Sequence, residues 1–279
     1  MAEHGTDFAV AADLPPGVTS MVGYRSGAAP EPLHRGLPSP RLTLVVARDD
    51  GVEAAADAAA LPSARPNRLV LGGLHLTASW VRQRPGQSGV QLAVHPLAAR
   101  SLLGVPAAEL DVTAFAGAPV LGRAGERLAD QLGETEGWPE AFALLTRHLR
   151  RHRRPVAVRP ELRHAWYLLE RSGGLIQVGD LAAAVGLTSR HLGTLFAREV
   201  GRSPKQVGQL VRFARASTAL AAQARRGHVD LAVLAAACGY CDQSHLTREF
   251  TRFAGSPPTR WLAAEFRNIQ DGGLPGDAP

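Results

Sequence analysis

The chain reads as an α+β protein: a β-rich N-terminal domain with trailing helices, then an all-α C-terminal domain of two helix-turn-helix motifs joined by a long helix. Three observations predict this. Short runs of β character, broken by Gly and Pro turns, lie in roughly the first hundred residues. Beyond them the apolar residues recur at helical spacing. From Ile176 a block of sequence then repeats itself 53 residues further on.

Taken in order, residues 1–20 predict a flexible arm. "RLTLVVA", "RLVLGGLHLTASWVRQ" and "SGVQLAVHP" are β-like runs, separated by Gly-Gly and by the turn signal "RPGQ". "AARSLLGVPAAEL", "AGERLADQLG" and "WPEAFALLTRHLRRH" change to helical periodicity, the last with Trp138, Phe142, Leu145 and Leu149 on one face. "RHRRPVAVRP" is a basic, Pro-bounded hinge. It divides the chain into a sensing or dimerisation domain over 21–154 and a helical domain over 155–270, with a flexible tail over 271–279.

Composition narrows the partners. At 279 residues, 45% hydrophobic and 20% charged, the chain is long enough for two cores and has an ordinary globular balance. No apolar run approaches the roughly 18 residues that span a bilayer. The N-terminus lacks a basic region followed by an apolar one, so a cytoplasmic location is expected. The net charge is +6, and residues 155–279 hold 15 of the 31 Lys+Arg but only 10 of the 25 Asp+Glu. A basic C-terminal half favours a polyanion partner.

The repeat settles the most conspicuous motif. Cys238-Gly-Tyr-Cys241, with His245 behind it, has the spacing of a redox dithiol or of three metal ligands. Yet Leu181, Ala182, Ala183, Ala184 and Gly186 align with Leu234, Ala235, Ala236, Ala237 and Gly239. After a one-residue insertion, Leu192, Phe196, Arg198, Gly201 and Pro204 align with Leu246, Phe250, Arg252, Gly255 and Pro258. Each copy has an Ala-rich helix, a turn glycine, one apolar residue, a capping residue and a second helix, the order of a helix-turn-helix. The motifs fall at about 178–199 and 230–253. Cys238 takes the place of Val185 and Cys241 that of Thr188, so a small buried hydrophobe and a turn residue account for both. A redox motif would need a βαβ setting, and structural zinc a fourth ligand; neither is expected.

The two units resemble the DNA-binding domain of the AraC/XylS family of bacterial transcription regulators. The second unit carries the resemblance most fully, through Gly239, Asp242, Ser244, His245, Arg248, Phe250, Phe253, Gly255 and Pro258, and the likeness covers about residues 160–270. It implies a sequence-specific regulator in which two recognition helices contact double-stranded promoter DNA. On the second of them, Gln243, Ser244, His245, Thr247 and Arg248 are the expected contacts: Gln suits adenine, and Arg suits guanine or phosphate. On the first they are Arg190, His191, Thr194 and Arg198, with Gly193 leaving a gap in that face. Arg212, Arg215, Arg225 and Arg226 add general attraction or mere solubility. The connecting helix is expected to begin at Ser203 and Pro204, with Val207, Leu210, Val211 and Ala214 as its apolar stripe.

The resemblance also implies that the N-terminal domain senses a small effector, forms a homodimer, or both, and that an activator would meet RNA polymerase. His34, His75 and His95 could converge as metal ligands on a β-rich scaffold, but isolated histidines on apolar strands are more often structural, and no metal or cofactor is expected. No nucleophile elbow, zinc-protease helix or nucleotide loop stands in a supporting context, so no enzymatic activity is expected. The competing class, a DNA repair or modification enzyme with a similar DNA-binding half, calls for a reactive cysteine or an acid/base pair before residue 155, and no cysteine is there.

Overall fold

The structure, a computed structural model, describes residues 6–27 and 33–270. Eight strands come first: β1 (Thr6–Val10), β2 (Val18–Ser26), β3 (Leu33–Gly36), β4 (Leu42–Ala47), β5 (Glu53–Ala55), β6 (Leu69–Gly72), β7 (Ser79–Arg82) and β8 (Ser88–Val94). They form two antiparallel sheets, of order β1-β2-β8-β4-β6 and β3-β7-β5. The expected flexible arm is therefore corrected from Thr6 onward. Residues 6–10 pair along β2 from Val22 to Ser26, and β2 itself begins at Val18. Residues 1–5 and the expected tail 271–279 lie outside the described residues.

Strand side chains alternate between faces, and both faces of the larger sheet are covered. On one face Met21, Leu42, Leu44, Val46, Leu69, Leu71, Val90, Leu92 and Val94 join the main core under the helices. On the other, Val45 and Val70 pack with Val52 and Phe115, and with Tyr24, Ala54 and Val81, between the two sheets. This is why "LVVA" within "RLTLVVA" is unbroken by polar residues: residues 44–47 are buried whichever face they point to.

Helices follow: α1 (Ala99–Leu102), α2 (Ala118–Gly133), α3 (Trp138–His152), α4 (Pro160–Arg171), α5 (Val178–Ala184), α6 (Ser189–Val200), α7 (Pro204–Arg225), α8 (Leu231–Ala237), α9 (Gln243–Ala254) and α10 (Pro258–Gln270). On α3 the expected face holds: Leu145 and Leu149 are buried, and Trp138 stacks on Phe142 at 6.3 Å. The irregular segment 153–159 falls where a hinge is expected. It does not hang free, because Arg154 donates its N–H to Ser101 O and accepts from Ser101 Oγ, each at 2.7 Å.

The apolar core continues across this segment. Leu97, Leu102 and Leu103 belong to the same buried cluster as Leu162, Trp166 and Phe196. The His95 ring lies 5.0 Å from that of Trp166. Ion pairs frame the contact: Arg41 with Glu170 and Arg100 with Glu199, each at 2.5 Å, and His34 with Glu265 at 2.9 Å. Gly201 closes α6 with φ of 74°, and a Cβ there would sit 2.9 Å from the Ala108 backbone. Glycine suits both the left-handed conformation and the close approach.

Candidate nucleic-acid interface

The two aligned copies fold alike. In the first, Val185 caps the end of α5 and the chain turns at Gly186 with φ of 70°; in the second, Cys238 caps the end of α8 and the chain turns at Gly239 with φ of 76°. Thr188 Oγ1 then accepts from His191 N at 3.2 Å to start α6. Asp242 Oδ1 accepts from His245 N at 2.6 Å to start α9. Each cap satisfies one of the N–H groups a helix leaves open at its first turn. Cys238 is buried and Cys241 exposed, as expected for a small core residue and a turn residue. Burial pushes the Cys238 thiol up, away from the thiolate that sulfur chemistry needs.

One face of each second helix packs inward. Leu192, Leu195, Phe196 and Val200 anchor α6; Leu246, Phe250 and Phe253 anchor α9, where Phe213 of α7 meets Phe250 at 5.2 Å and Phe253 at 4.9 Å. Arg212 of α7 reaches Glu249 of α9 with two hydrogen bonds, of 3.0 and 2.6 Å, and lies 4.8 Å from the Tyr240 ring. Burial pulls the Arg212 pKa down, but the bonds to Glu249 outweigh it and hold it above its ordinary value. The residue expected to add general attraction or mere solubility instead locks α9 onto α7.

The opposite faces carry the expected contact residues. Arg190, His191, Thr194 and Arg198 are exposed on α6, and Gln243, Ser244 and Arg248 on α9. Gly193 stands between them with open space around its Cα. Two residues are more engaged than expected. His245 is half-buried edge-on to Tyr240 at 5.2 Å, and Thr247 is half-buried, its carbonyl accepting from Thr251. Arg252, the counterpart of Arg198, folds over Phe253 at 4.5 Å, whereas Arg198 lines a hollow with Arg100, Arg159 and Glu199.

Between the halves is a cavity of about 250 Å³ that sequence reasoning did not foresee. Both sheets line it, together with Ala214, Ser217 and Thr218 of α7 and Trp261 of α10. Its apolar strand positions, among them Val22, Val45 and Val70 of the larger sheet and Val81 of the smaller, look like core in the sequence. His34 and His75 reach its wall, but the three histidines weighed as metal ligands go to separate partners: Glu265, the Thr77 carbonyl and the Leu97 N–H. Among the described residues no group of three or more His, Cys, Asp or Glu is placed to hold a metal ion.

Two helix-turn-helix units joined by one long helix define the architecture of the C-terminal half. Residues 181–264 match the family model described as a helix-turn-helix domain. Over 94 residues, 34% of this chain and 35% of the relative, the sequence is 29% identical to the HTH-type transcriptional regulator Rv1931c of Mycobacterium tuberculosis. The match thus spans about a third of that relative's length. Among solved structures, an AraC-type regulator from Chromobacterium violaceum is similar at 24% identity and a TM-score of 0.33, over 37% of this chain and 90% of that one. ToxT from Vibrio cholerae O395 is similar over 93% of this chain and 96% of its own, at 11% identity and a TM-score of 0.46.

Proposed function

We propose that the chain is a sequence-selective, DNA-binding transcription regulator whose N-terminal half modulates binding through a small effector or through dimer formation. One observation carries the reading. Two capped recognition helices share a rigid 22-residue helix and turn exposed polar faces away from the core. At about 1.5 Å per residue, α7 is a rod of roughly 33 Å, comparable with the ~34 Å between successive major grooves on one side of B-DNA. Its Ser203–Gln206 capping box and Pro204 fix where that rod begins.

In this reading Arg190, His191, Thr194 and Arg198 of α6, and Gln243, Ser244, His245, Thr247 and Arg248 of α9, meet DNA. Phosphate neutralisation holds the basic half in place, and base contacts select the site. Residues 21–154 and 155–270 act as the modulating and DNA-binding domains, working in the cytoplasm without an enzymatic step. A homodimer would pair two such modules, and an activator would also touch RNA polymerase.

Selection of duplexes from a random pool by the full-length chain tests the proposal. It should enrich one sequence with two contacted segments about 10 base pairs apart. Equal affinity for enriched and scrambled duplexes would reduce the chain to a sequence-blind architectural binder.

A further inference from the structure

Positive charge is gathered where the two halves join. Residues 147–163 hold seven arginines and one acid, a net of +6, which equals the formal net charge of the whole chain. Residues 150–157 are all exposed, and so is Arg163. Among the described residues, two of the seven arginines meet a carboxylate: Arg150 at Asp13, 3.0 Å, and Arg159 at Glu161, 3.3 Å. Arg151, Arg153 and Arg163 are not in ion pairs there. Crowded like charges repel one another and oppose compactness, and an extended anion laid across them relieves that repulsion.

The surroundings of the patch say which anion. Arg154 is tied to Ser101 through both its N–H and its carbonyl, and Arg153 Nε donates to Ser101 Oγ at 3.3 Å. The neighbour of Ser101, Arg100, pairs with Glu199 of α6 at 2.5 Å. From there the chain runs beside the first recognition helix. Ala157, Val158 and Arg159 share a hollow with Leu195, Arg198 and Glu199 of α6. At the start of α4, the Glu161 carboxyl is held below its ordinary value by its own N–H, then by Arg159, and in smaller part by the charge of His191. His191 and Arg198 are two turns apart along one edge of α6, and the joining segment meets that edge at both ends. Arg163 follows Arg159 by one turn.

We propose that the segment joining the halves is a third DNA-binding element, in which Arg151, Arg153 and Arg163 neutralise phosphates flanking the groove that α6 enters. The proposal rests on the DNA contact of the function proposed above, not on its selectivity. A duplex carries one charge per about 1.7 Å of its axis, so cations strung beside a groove-inserted helix lie within reach of phosphates. The guanidinium fork suits phosphate oxygens in pairs. Phosphate contacts carry no sequence information directly, so the patch adds affinity and footprint length but no base preference. Arg151 belongs to α3, so the duplex would engage both halves of the chain at once.

Equilibrium binding of the full-length chain across a salt series tests this, read on the selected duplex and on a scrambled one. A chain carrying Arg151→Gln, Arg153→Gln and Arg163→Gln together should lose at least about one unit of salt slope and up to about three, at about 0.9 per phosphate contact. The ratio of its affinities for the two duplexes should match the wild type. Arg151→Lys, Arg153→Lys and Arg163→Lys together should keep the slope, because the charge stays. Arg25→Gln, Arg65→Gln and Arg123→Gln together, at exposed sites on the N-terminal half, should also keep it. Hydroxyl-radical footprints of the first variant should lose protected backbone at one flank while the two contacted segments stay protected. A slope lowered by less than one unit in the first variant would overturn the proposal and leave the patch to an acidic protein. So would an unchanged flank, or an equal fall in the second or third variant, which would trace the effect to the fold or to overall charge. Equal affinity for both duplexes, with these slopes intact, would sink the selectivity of the regulator alone, and absence of salt-dependent binding to either would sink both.

Discussion

Arg248 and Arg198 occupy comparable exposed faces, yet their surroundings predict different roles. Arg248 stands on α9 beside exposed Gln243 and Ser244, an array of the side chains that read base edges. Arg198 is an exposed cation toward the end of α6, in a hollow where Arg100 and Arg159 are paired with Glu199 and Glu161. That setting, with no array of base-reading side chains, suits a phosphate contact. Arg248→Ala should therefore cost about 1–3 kcal/mol on the selected duplex and relax preference at one base position. Arg198→Ala should weaken all duplexes alike and lower the salt slope by about one unit. Anisotropy titrations of both variants on selected and scrambled duplexes, across a salt series, separate the two. Equal losses on both duplexes for Arg248→Ala would make it an anchor and move the reader to the first helix, starting with Arg190.

Whole elements are held by local devices, and those are what the sequence displays. The turn glycines Gly186 and Gly239 and the caps Thr188 and Asp242 recur in the two copies with one extra residue between them in the second, so both motifs are legible from the sequence. Asp242→Ala should remove the cap of α9 and cost about 1 kcal/mol, seen as a lower thermal midpoint. Asp242→Ser should restore most of it, and an unchanged midpoint in the alanine variant would show that another acceptor serves the helix start. Strands were less legible. β4, β6, β7 and β8 announce themselves by β-branched and aromatic runs, but β2, "VTSMVGYRS", mixes Gly, Ser and Arg and shows no clean alternation. The reason is physical: Met21 faces the helices while Val22 and Tyr24 line the cavity, so neither face is consistently polar. The cavity was hidden for the same reason, and the α9 lock was hidden because Arg212 and Glu249 are 37 residues apart with no local signal.

At the scale of the molecule, the two halves share one apolar core and a frame of ion pairs, so their stabilities should be coupled. A fragment over 156–270 keeps Leu181, Leu192, Phe196, Phe213 and Phe250, and should fold with helical circular dichroism. It should also melt below the full chain, because Trp166 loses His95 and Glu170 loses Arg41; a fragment without helical signal would mean the halves cannot fold apart. Acid should loosen the same junction. Burial, then the nearby Arg41 charge, push His95 down to about 4 from its ordinary 6.5, with Glu170 opposing in part. A base whose folded pKa is depressed stabilises the fold fully above its unfolded value, and that stability is lost as pH falls from 6.5 toward 4. His148 on α3, also held at about 4, acts in the same direction. His34 acts oppositely: although burial opposes it, Glu265 raises its pKa, so its contribution is present below 6.5 and fades as pH rises through the raised value. In His95→Asn the side chain stays uncharged and can still accept from Leu97 N–H, as His95 Nδ1 does at 3.2 Å. Thermal midpoints measured from pH 7.5 down to pH 5, above the carboxylate range, should therefore fall less steeply in His95→Asn than in the wild-type chain. Parallel curves would show that His95 titrates alike in the folded and unfolded chain, and that acid acts elsewhere in the fold.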